Sequence, residues 1–256
     1  MNRHFVKSYA QIIDLLCKGC MLTVMRGERI PHISMFHNIR LDGEICTDEY
    51  ECNIGQLIDY VVHCRSIGME FVSIDSLLVK RVRGTTRYKS LITFDDGFAS
   101  VFNIAAPILV KLQVPFVVYV TTSFIGQKGF LSHEQLIQLH NNPYCTIGMH
   151  SHSHDMFRYK DDNYLRQDFE ICSKTLLDLI GETPRHYAFP YGSVYACSKH
   201  NSNLVRLLGV KSIAMTTPIK LTFWHLINPY SLPRLNIPAC YNGRIKRKFR
   251  GLKVGM

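Results

Sequence analysis

Short apolar runs alternate along the chain with longer amphipathic segments. The runs are rich in valine, isoleucine, phenylalanine and tyrosine, which is typical of buried strands, and they lie near residues 31–39, 70–74, 90–95, 115–121, 144–149, 186–190, 210–216 and 231–236. The segments between them have helical spacing and lie near residues 54–67, 99–113, 132–141, 160–180 and 199–208. Repeated alternation of strands with helices predicts a parallel sheet.

Two adjacent carboxylates, Asp95 and Asp96, follow the apolar run 90–94 and precede Gly97. The tripeptide alone is typical of a turn. Along an extended strand, neighbouring side chains point to opposite faces. The two carboxylates can therefore serve one pocket only where the strand gives way to a loop, and Gly97 is expected to supply that break.

Three histidines, His150, His152 and His154, follow the apolar run 144–149. They could form a polar strand face or a surface tract, but a position where a strand meets its loop favours ligands, since active sites of β/α barrels lie at such ends. We interpret His150 and His154 as metal ligands and His152 as a neighbour. Two imidazoles and one carboxylate can hold a divalent ion and leave positions open for water and substrate. The second carboxylate is then free to act as a base.

The order and spacing of four blocks resemble those of the polysaccharide deacetylases, also called NodB-homology or carbohydrate esterase family 4 enzymes. The resemblance covers roughly residues 30–238. The blocks are Thr93–Gly97, His150–His154, the helical stretch Leu165–Gly181 and Tyr187–Gly192.

Two features of the usual family pattern are missing. The family has an arginine where this chain has Ala188, and its late Leu-x-His motif is not visible here. Both gaps are filled in a subgroup that resembles the biofilm-polysaccharide deacetylases, whose motif order is circularly permuted. Ser34–Ile39 is similar to that subgroup's N-terminal histidine motif, and Leu232–Leu235 is similar to its Leu-Pro-Arg block.

The resemblance implies an α/β fold, a distorted (β/α) barrel of about seven units, and a metal-dependent deacetylase of N-acetylated sugars. The metal is expected to be zinc, with cobalt, nickel or iron as alternatives. The implied ligands are Asp96, His150 and His154; the other implied roles are Asp95 as base, His37 as acid, Arg234 as the partner that orients Asp95, and the backbone N–H of Tyr191 as an oxyanion donor. His37 could instead be a core histidine, and Arg234 a surface cation. Candidate sugar-stacking side chains are Tyr191, Phe124, Phe130 and Trp224.

Two other classes of function remain open. One is a different metal-dependent hydrolase on a β/α barrel, such as an O-acetyl esterase, although the sequence offers no clear second ligand set. The other is a non-catalytic, glycan-binding relic of the fold. The intact set of Asp95, Asp96, His150 and His154 argues against a relic, which would be expected to lose some of these residues.

Composition limits the remaining possibilities. Apolar residues make up 46% and charged residues 20% of the 256 residues, which is typical of a soluble globular domain. Nine cysteines, an odd number, argue against a disulfide framework, and the N-terminus carries no convincing secretory signal. We therefore expect a cytoplasmic protein with a helical N-terminal extension over residues 1–29, a catalytic domain over residues 30–238 and a basic tail over residues 239–256.

The net charge of +10 is reinforced by six cations near the end of the chain, Arg244, Lys246, Arg247, Lys248, Arg250 and Lys253. Such a tail is attracted to anionic membranes or anionic glycans, unless it is simply a solvated tail. No nucleic-acid recognition fold is recognisable. The expected partner is an N-acetylated glycan or a lipid-linked glycan precursor, met at the inner face of the membrane.

Overall fold

The computed structural model describes residues 28–79 and 88–238. The strands in these ranges are β1 (His32–Phe36), β2 (Ile39–Arg40), β3 (Cys52–Asn53), β4 (Glu70–Phe71), β5 (Lys89–Phe94), β6 (Phe116–Val120), β7 (Cys145–Met149), β8 (His186–Ala188), β9 (Ser212–Met215), β10 (Leu232–Pro233) and β11 (Leu235–Asn236). The α-helices are α1 (Ile54–Ser66), α2 (Ile74–Leu78), α3 (Ala106–Lys111), α4 (His133–His140), α5 (Asp162–Ile180), α6 (Lys199–Leu207) and α7 (Phe223–Ile227). A π-helical turn, Val101–Ala105, leads into α3.

One parallel sheet of nine strands forms a nearly closed barrel. Its order is β10, β9, β8, β7, β6, β5, β1 and β11, with β4 paired to the start of β5. Strands β10 and β11, the last two in the described ranges, close it, because β10 pairs with β9 at one end of the sheet and β11 pairs with β1 at the other. Only Arg234 separates β10 from β11. This residue therefore lies at the seam of the barrel.

Strand alternation divides the core into two clusters. The larger contains Ile92 and Phe94 of β5 and is covered by the surrounding helices. The smaller contains Leu91 of the same strand and brings together side chains from β1, β6, β8, β9 and β10. Side chains from strands all around the sheet can meet only inside the barrel, so the odd-numbered residues of β5 face the interior.

The hydrophobic pattern predicted the main elements, and the distorted (β/α) barrel is confirmed. The differences lie at element ends: the run 31–39 leaves the strand after Phe36, and the run 70–74 is a strand only as far as Phe71. Ser73 then caps α2 by accepting a hydrogen bond from the N–H of Ser76 at 3.2 Å. Helices α2 and α7 were not predicted, since five residues are too few to display a helical period.

Most of the predicted N-terminal extension, residues 1–29, and all of the basic tail, residues 239–256, lie outside the described residues, so these boundaries stay predictions. Within the described ranges, every helix is too short or too polar to span a bilayer.

Candidate active site

Asp95 and Asp96 reach the same cavity although they are neighbours in sequence. Asp95 continues the inward-facing side of β5 and is 2% exposed. Alternation alone would turn Asp96 outward. The backbone of Asp96 instead adopts a left-handed conformation with φ of 71°, and Gly97 follows with φ of 83°. The break that unites the carboxylates therefore begins at Asp96 itself, one residue before the glycine that was expected to supply it.

Asp95 is fixed by the guanidinium of Arg234. Nη1 donates to Oδ1 at 2.5 Å and Nη2 donates to Oδ2 at 2.7 Å, and Arg234 is fully buried. The same guanidinium donates to Thr93 Oγ1 at 3.3 Å and to the carbonyl of Met215 at 3.4 Å. Burial alone would raise the pKa of Asp95, but the paired guanidinium outweighs it and holds the pKa below its ordinary value. Arg234 is thus not a surface cation, and Asp95 is held ionised in one orientation.

His150 presents its Nε2 to the cavity. Its Nδ1 lies 2.8 Å from the carbonyl oxygen of Ala188, which can only accept a hydrogen bond. Nδ1 therefore carries the proton of the neutral ring, and the lone pair of Nε2 points towards Asp96. Burial lowers the pKa of His150, but the carboxylates of Asp95 and Asp96 outweigh it and raise the pKa. The surroundings of Nε2 favour positive charge, whether from a proton or from a metal ion.

Three potential ligand atoms converge beside Asp95. Asp96 Oδ1 lies 3.3 Å from His150 Nε2 and 3.0 Å from His154 Nε2, and the three atoms lie within 4.8 Å of one another. Asp96 Oδ1 is buried and receives no hydrogen bond from the described residues. Burial would raise the pKa of Asp96, but the two imidazoles outweigh it and hold the pKa well below its ordinary value. Atoms bound to one tetrahedral metal ion lie about 3.4 Å apart, so the two distances from Asp96 Oδ1 suit a divalent ion shared by these residues.

Backbone strain is concentrated at this site. Asp96, Ser151, His154 and Tyr191 are four of the five non-glycine residues with positive φ in the described ranges. A left-handed conformation of a non-glycine residue costs about 1–3 kcal/mol and persists only where its surroundings enforce it. For His154, one such restraint is the hydrogen bond that its N–H donates to Ser151 Oγ at 2.9 Å.

His37 lies just beyond β1 and faces the same cavity, which has a volume of about 280 Å³. Its ring packs edge-on against Tyr50, with centroids 4.9 Å apart, and its Nδ1 is buried with no hydrogen bond to a described residue. Burial lowers the pKa of His37, and the nearby Asp96 and Asp95 carboxylates partly oppose this. His37 is therefore an imidazole of the cavity that lies outside the group of three ligand atoms.

Tyr191 forms part of the cavity rim after β8. Its φ is 60°, its side chain is half exposed, and its ring centroid lies 5.0 Å from that of His154. The next residue, Gly192, accepts a hydrogen bond from the N–H of Thr216 at 2.8 Å. A Cβ on Gly192 would lie 2.7 Å from that same nitrogen, so only glycine allows this close approach. The turn that carries Tyr191 is thereby pinned to the end of β9.

The family model for polysaccharide deacetylases matches residues 83–213, which is 131 of the 256 residues and includes the Asp and His motifs. The chain belongs to the polysaccharide deacetylase family. This deacetylase is accordingly a hydrolase acting on carbon–nitrogen bonds other than peptide bonds. No curated protein matched its sequence.

Solved structures with the same fold include several deacetylases. A de-N-acetylase from Aggregatibacter actinomycetemcomitans is 18% identical, with a TM-score of 0.69 over 80% of this chain and 93% of that one. IcaB from Ammonifex degensii is 19% identical, with a TM-score of 0.63 over 82% and 88%. The Streptococcus pyogenes deacetylase PplD, in complex with acetate, is 16% identical, with a TM-score of 0.68 over 80% and 91%. At these identities the likeness establishes the fold.

The structure of the deacetylase brings the predicted site residues together. Its cavity is lined by Asp95, Asp96, His150, His154, His37 and Tyr191. The buried Arg234 contacts Asp95. His152 lies outside the group of ligand atoms, and its Nδ1 is 2.9 Å from Thr122 Oγ1. Trp224, Phe124 and Phe130 do not line the cavity, whereas Phe98 does.

Two features of the deacetylase were not predicted from its sequence. The first is a cavity wall formed by Asp48, Tyr50 and Glu51, in which Tyr50 packs against His37 and Glu51 organises the loop. Glu51 accepts hydrogen bonds from Asn38 Nδ2 at 2.8 Å and from the N–H of Thr47 at 2.8 Å. Burial would raise the pKa of Glu51, but its hydrogen bonds, above all from Arg40, lower it to about 2.

The second feature is Asp168 on α5, whose carboxylate accepts hydrogen bonds from the N–H groups of His152 at 2.9 Å and Ser153 at 2.7 Å. A sequence signal for it existed. Asp168 shares the buried face of the helix with Leu165, Phe169, Cys172 and Leu176, and a lone carboxylate in an apolar stripe needs a partner.

Proposed function

We propose that this deacetylase uses a divalent metal ion, zinc in the first instance, to remove acetyl groups from N-acetylated sugars. The observation that carries the proposal is the convergence of Asp96 Oδ1, His150 Nε2 and His154 Nε2 beside the ionised Asp95. Within the described residues no second group of three histidine, cysteine or carboxylate ligands converges in this way. A hydrolase with two metal ions is therefore not favoured.

The ion would be held by Asp96, His150 and His154. When bound, such an ion lowers the pKa of a coordinated water to about 7 and polarises the acetyl carbonyl. Asp95 Oδ2, which lies 3.9 Å from His150 Nε2, then accepts a proton from the attacking water. Arg234 prevents Asp95 from turning away, and it keeps the carboxylate ionised before the proton arrives.

The other half of the reaction needs a proton for the departing amine and a donor for the oxyanion. We assign the first role to His37, which faces the cavity and is outside the ligand group. We assign the second to the backbone N–H of Tyr191, in the strained turn on the opposite rim. Burial keeps the pKa of His37 below its ordinary value and the carboxylates of Asp95 and Asp96 only partly oppose this, so this role requires His37 to gain its proton during the reaction.

The His37→Ala variant should keep its metal and lose turnover. We expect acetate release from N-acetylglucosamine oligomers to fall about 10²–10⁴-fold, because a positioned general acid contributes about that much. Metal content and thermal unfolding should stay near those of the wild type. Acetate release is measured enzymatically and bound metal by elemental analysis of the same sample.

A suitable control for this variant is His200→Ala, which removes an exposed imidazole on α6. It should leave acetate release unchanged. If His37→Ala released acetate at the normal rate, His37 would be a structural histidine. If it failed only on amides and kept its activity on a small acetyl ester, the role as acid would be retained, since an ester leaving group depends less on protonation.

We also propose a lipid-linked glycan precursor as the substrate, and the inner face of the membrane as the place of action. The cavity has room for one sugar residue with its acetamido group, at the lower end of ligand-sized pockets. Lys246, Arg247, Lys248 and Arg250 would contribute attraction to anionic headgroups, each worth about 1 kcal/mol near the surface.

Membrane attraction through the basic tail can be measured with vesicles. A chain ending at Pro238, and a full-length chain with these four cations replaced by glutamine, should both lose flotation with anionic phosphatidylserine vesicles. Neither the wild type nor the variants should float with neutral vesicles. If the glutamine variant floated with anionic vesicles as well as the wild type does, the proposed role of the tail in membrane attraction would be wrong. Acetate release from free polymer but not from a lipid-linked sugar would remove the precursor.

A further inference from the structure

Asp168 lies on the side of the histidine loop that faces away from the cavity. It is 5% exposed and belongs to the face of α5 that packs into the core. A buried carboxylate is unfavourable unless it is fully hydrogen-bonded. The contacts of Asp168 therefore need an explanation beyond core packing.

The two oxygens of Asp168 bind two successive backbone N–H groups. Oδ1 accepts from His152 and Oδ2 accepts from Ser153, at 2.9 Å and 2.7 Å. These residues lie between the ligands His150 and His154. Successive N–H groups directed at one anion form a concave nest, which requires unusual backbone conformations nearby.

Such conformations flank the nest on both sides. Ser151 has φ of 67° and His154 has φ of 60°, and the N–H of His154 donates to Ser151 Oγ. Without an anion in the nest, two buried N–H groups would lose their partners, and the strained loop would relax towards ordinary conformations. The position of His154 Nε2 over Asp96 depends on that strain.

Two further contacts hold the same loop from the same side. Thr122 Oγ1 lies 2.9 Å from His152 Nδ1. Cys172, one helical turn after Asp168, contacts both Thr122 and the backbone of His150. Helix α5 and Thr122 therefore both support the loop that carries the two imidazoles.

We propose that Asp168 is a positioning residue for metal binding: its carboxylate holds the loop 150–154 in the strained conformation that aims His150 and His154 at Asp96. This inference rests on the proposed metal-dependent function. It predicts that substitution of Asp168 lowers the affinity for metal by more than any loss of folding stability explains.

The experiment compares zinc affinity and apo-protein stability across four full-length proteins. Asp168→Asn replaces one acceptor oxygen by a donor, and zinc affinity should fall about 10–100-fold, as is common when partners of metal ligands are removed. Asp168→Glu, which keeps both acceptors, should recover part of the loss. Phe169→Leu is the control, because it perturbs the core at the neighbouring residue of α5, where Phe169 packs against Tyr187. It should lower the unfolding temperature and leave zinc affinity unchanged.

The outcomes separate the two proposals. If the wild type binds no zinc, cobalt, nickel or iron, the proposed metal-dependent function fails. If the wild type binds metal and Asp168→Asn, although folded, binds it within twofold as tightly, the positioning role is overturned. If Asp168→Asn does not fold, Thr122→Val tests the same loop through its other contact. A severalfold loss of zinc affinity in Thr122→Val supports the proposal that contacts behind the loop position its imidazoles. An unchanged affinity overturns that proposal.

Discussion

Asp95→Asn should bind metal as tightly as the wild type and release acetate about 10²–10⁴ times more slowly. Asparagine keeps the shape of the side chain and an acceptor oxygen for Arg234, but it cannot take a proton from water. The proposed ligand atoms belong to Asp96, His150 and His154, so the ion should stay in place. Turnover on N-acetylglucosamine oligomers and bound metal per chain are measured together.

The matched comparison for this variant is Asp96→Asn. The two aspartates are adjacent, yet the structure gives them different surroundings: one is paired with Arg234, and the other faces two imidazoles. Asp96→Asn should therefore lose metal along with activity. Substantial turnover by Asp95→Asn, or loss of metal from it, would show that the roles of the two carboxylates have been assigned wrongly.

Arg234→Met should destabilise the fold by about 3–5 kcal/mol, the usual cost of leaving one partner of a buried ion pair alone. Asp95 would keep its burial and lose both charged hydrogen bonds at the barrel seam. The double variant Asp95→Asn/Arg234→Met should recover much of that loss, because no unpaired charge remains. Urea unfolding of the four metal-free proteins gives the coupling free energy directly.

Arg40→Met is the control for this pair. Its guanidinium also binds a carboxylate, that of Glu51, but Glu51 keeps hydrogen bonds from Asn38 and Thr47, and the arginine side chain is 36% exposed, so water can take its place. The expected cost is nearer 0–1 kcal/mol. If Arg234→Met were as mild as Arg40→Met, the buried pair would not be the restraint on Asp95 that the mechanism requires.

The sequence predicted the barrel and the residues whose potential ligand atoms converge, because both depend on local patterns. Buried strands and amphipathic helices have short periods, and His150 and His154 stand at the end of such a strand. The adjacent carboxylates can share one pocket only if the strand ends beside them, so a break after the strand was also expected. The break was predicted, but its location at Asp96 was not, because positive φ is uncommon in any residue other than glycine, even in aspartate, and the following glycine was the expected position.

Longer-range features were beyond local patterns. Arg234 and Asp95 are 139 positions apart, and only the resemblance to a family suggested that they meet. Closure of the barrel by residues 232–236 supplies the physical reason. The place of Asp168 in the apolar stripe of α5 was a local signal, but charged residues in helices are usually solvated, and the two N–H groups that it binds are not evident from a helical period. The wall around Tyr50 depends in the same way on a loop with little periodicity.

The most direct test of the account is one measurement on one preparation: metal bound per chain and acetate released from N-acetylglucosamine oligomers, for the wild type and His150→Ala. We expect about one divalent ion per wild-type chain together with acetate release. His150→Ala should lose both the bound ion and the acetate release. Acetate release that persists in metal-stripped protein, or in a folded His150→Ala chain without metal, would contradict it.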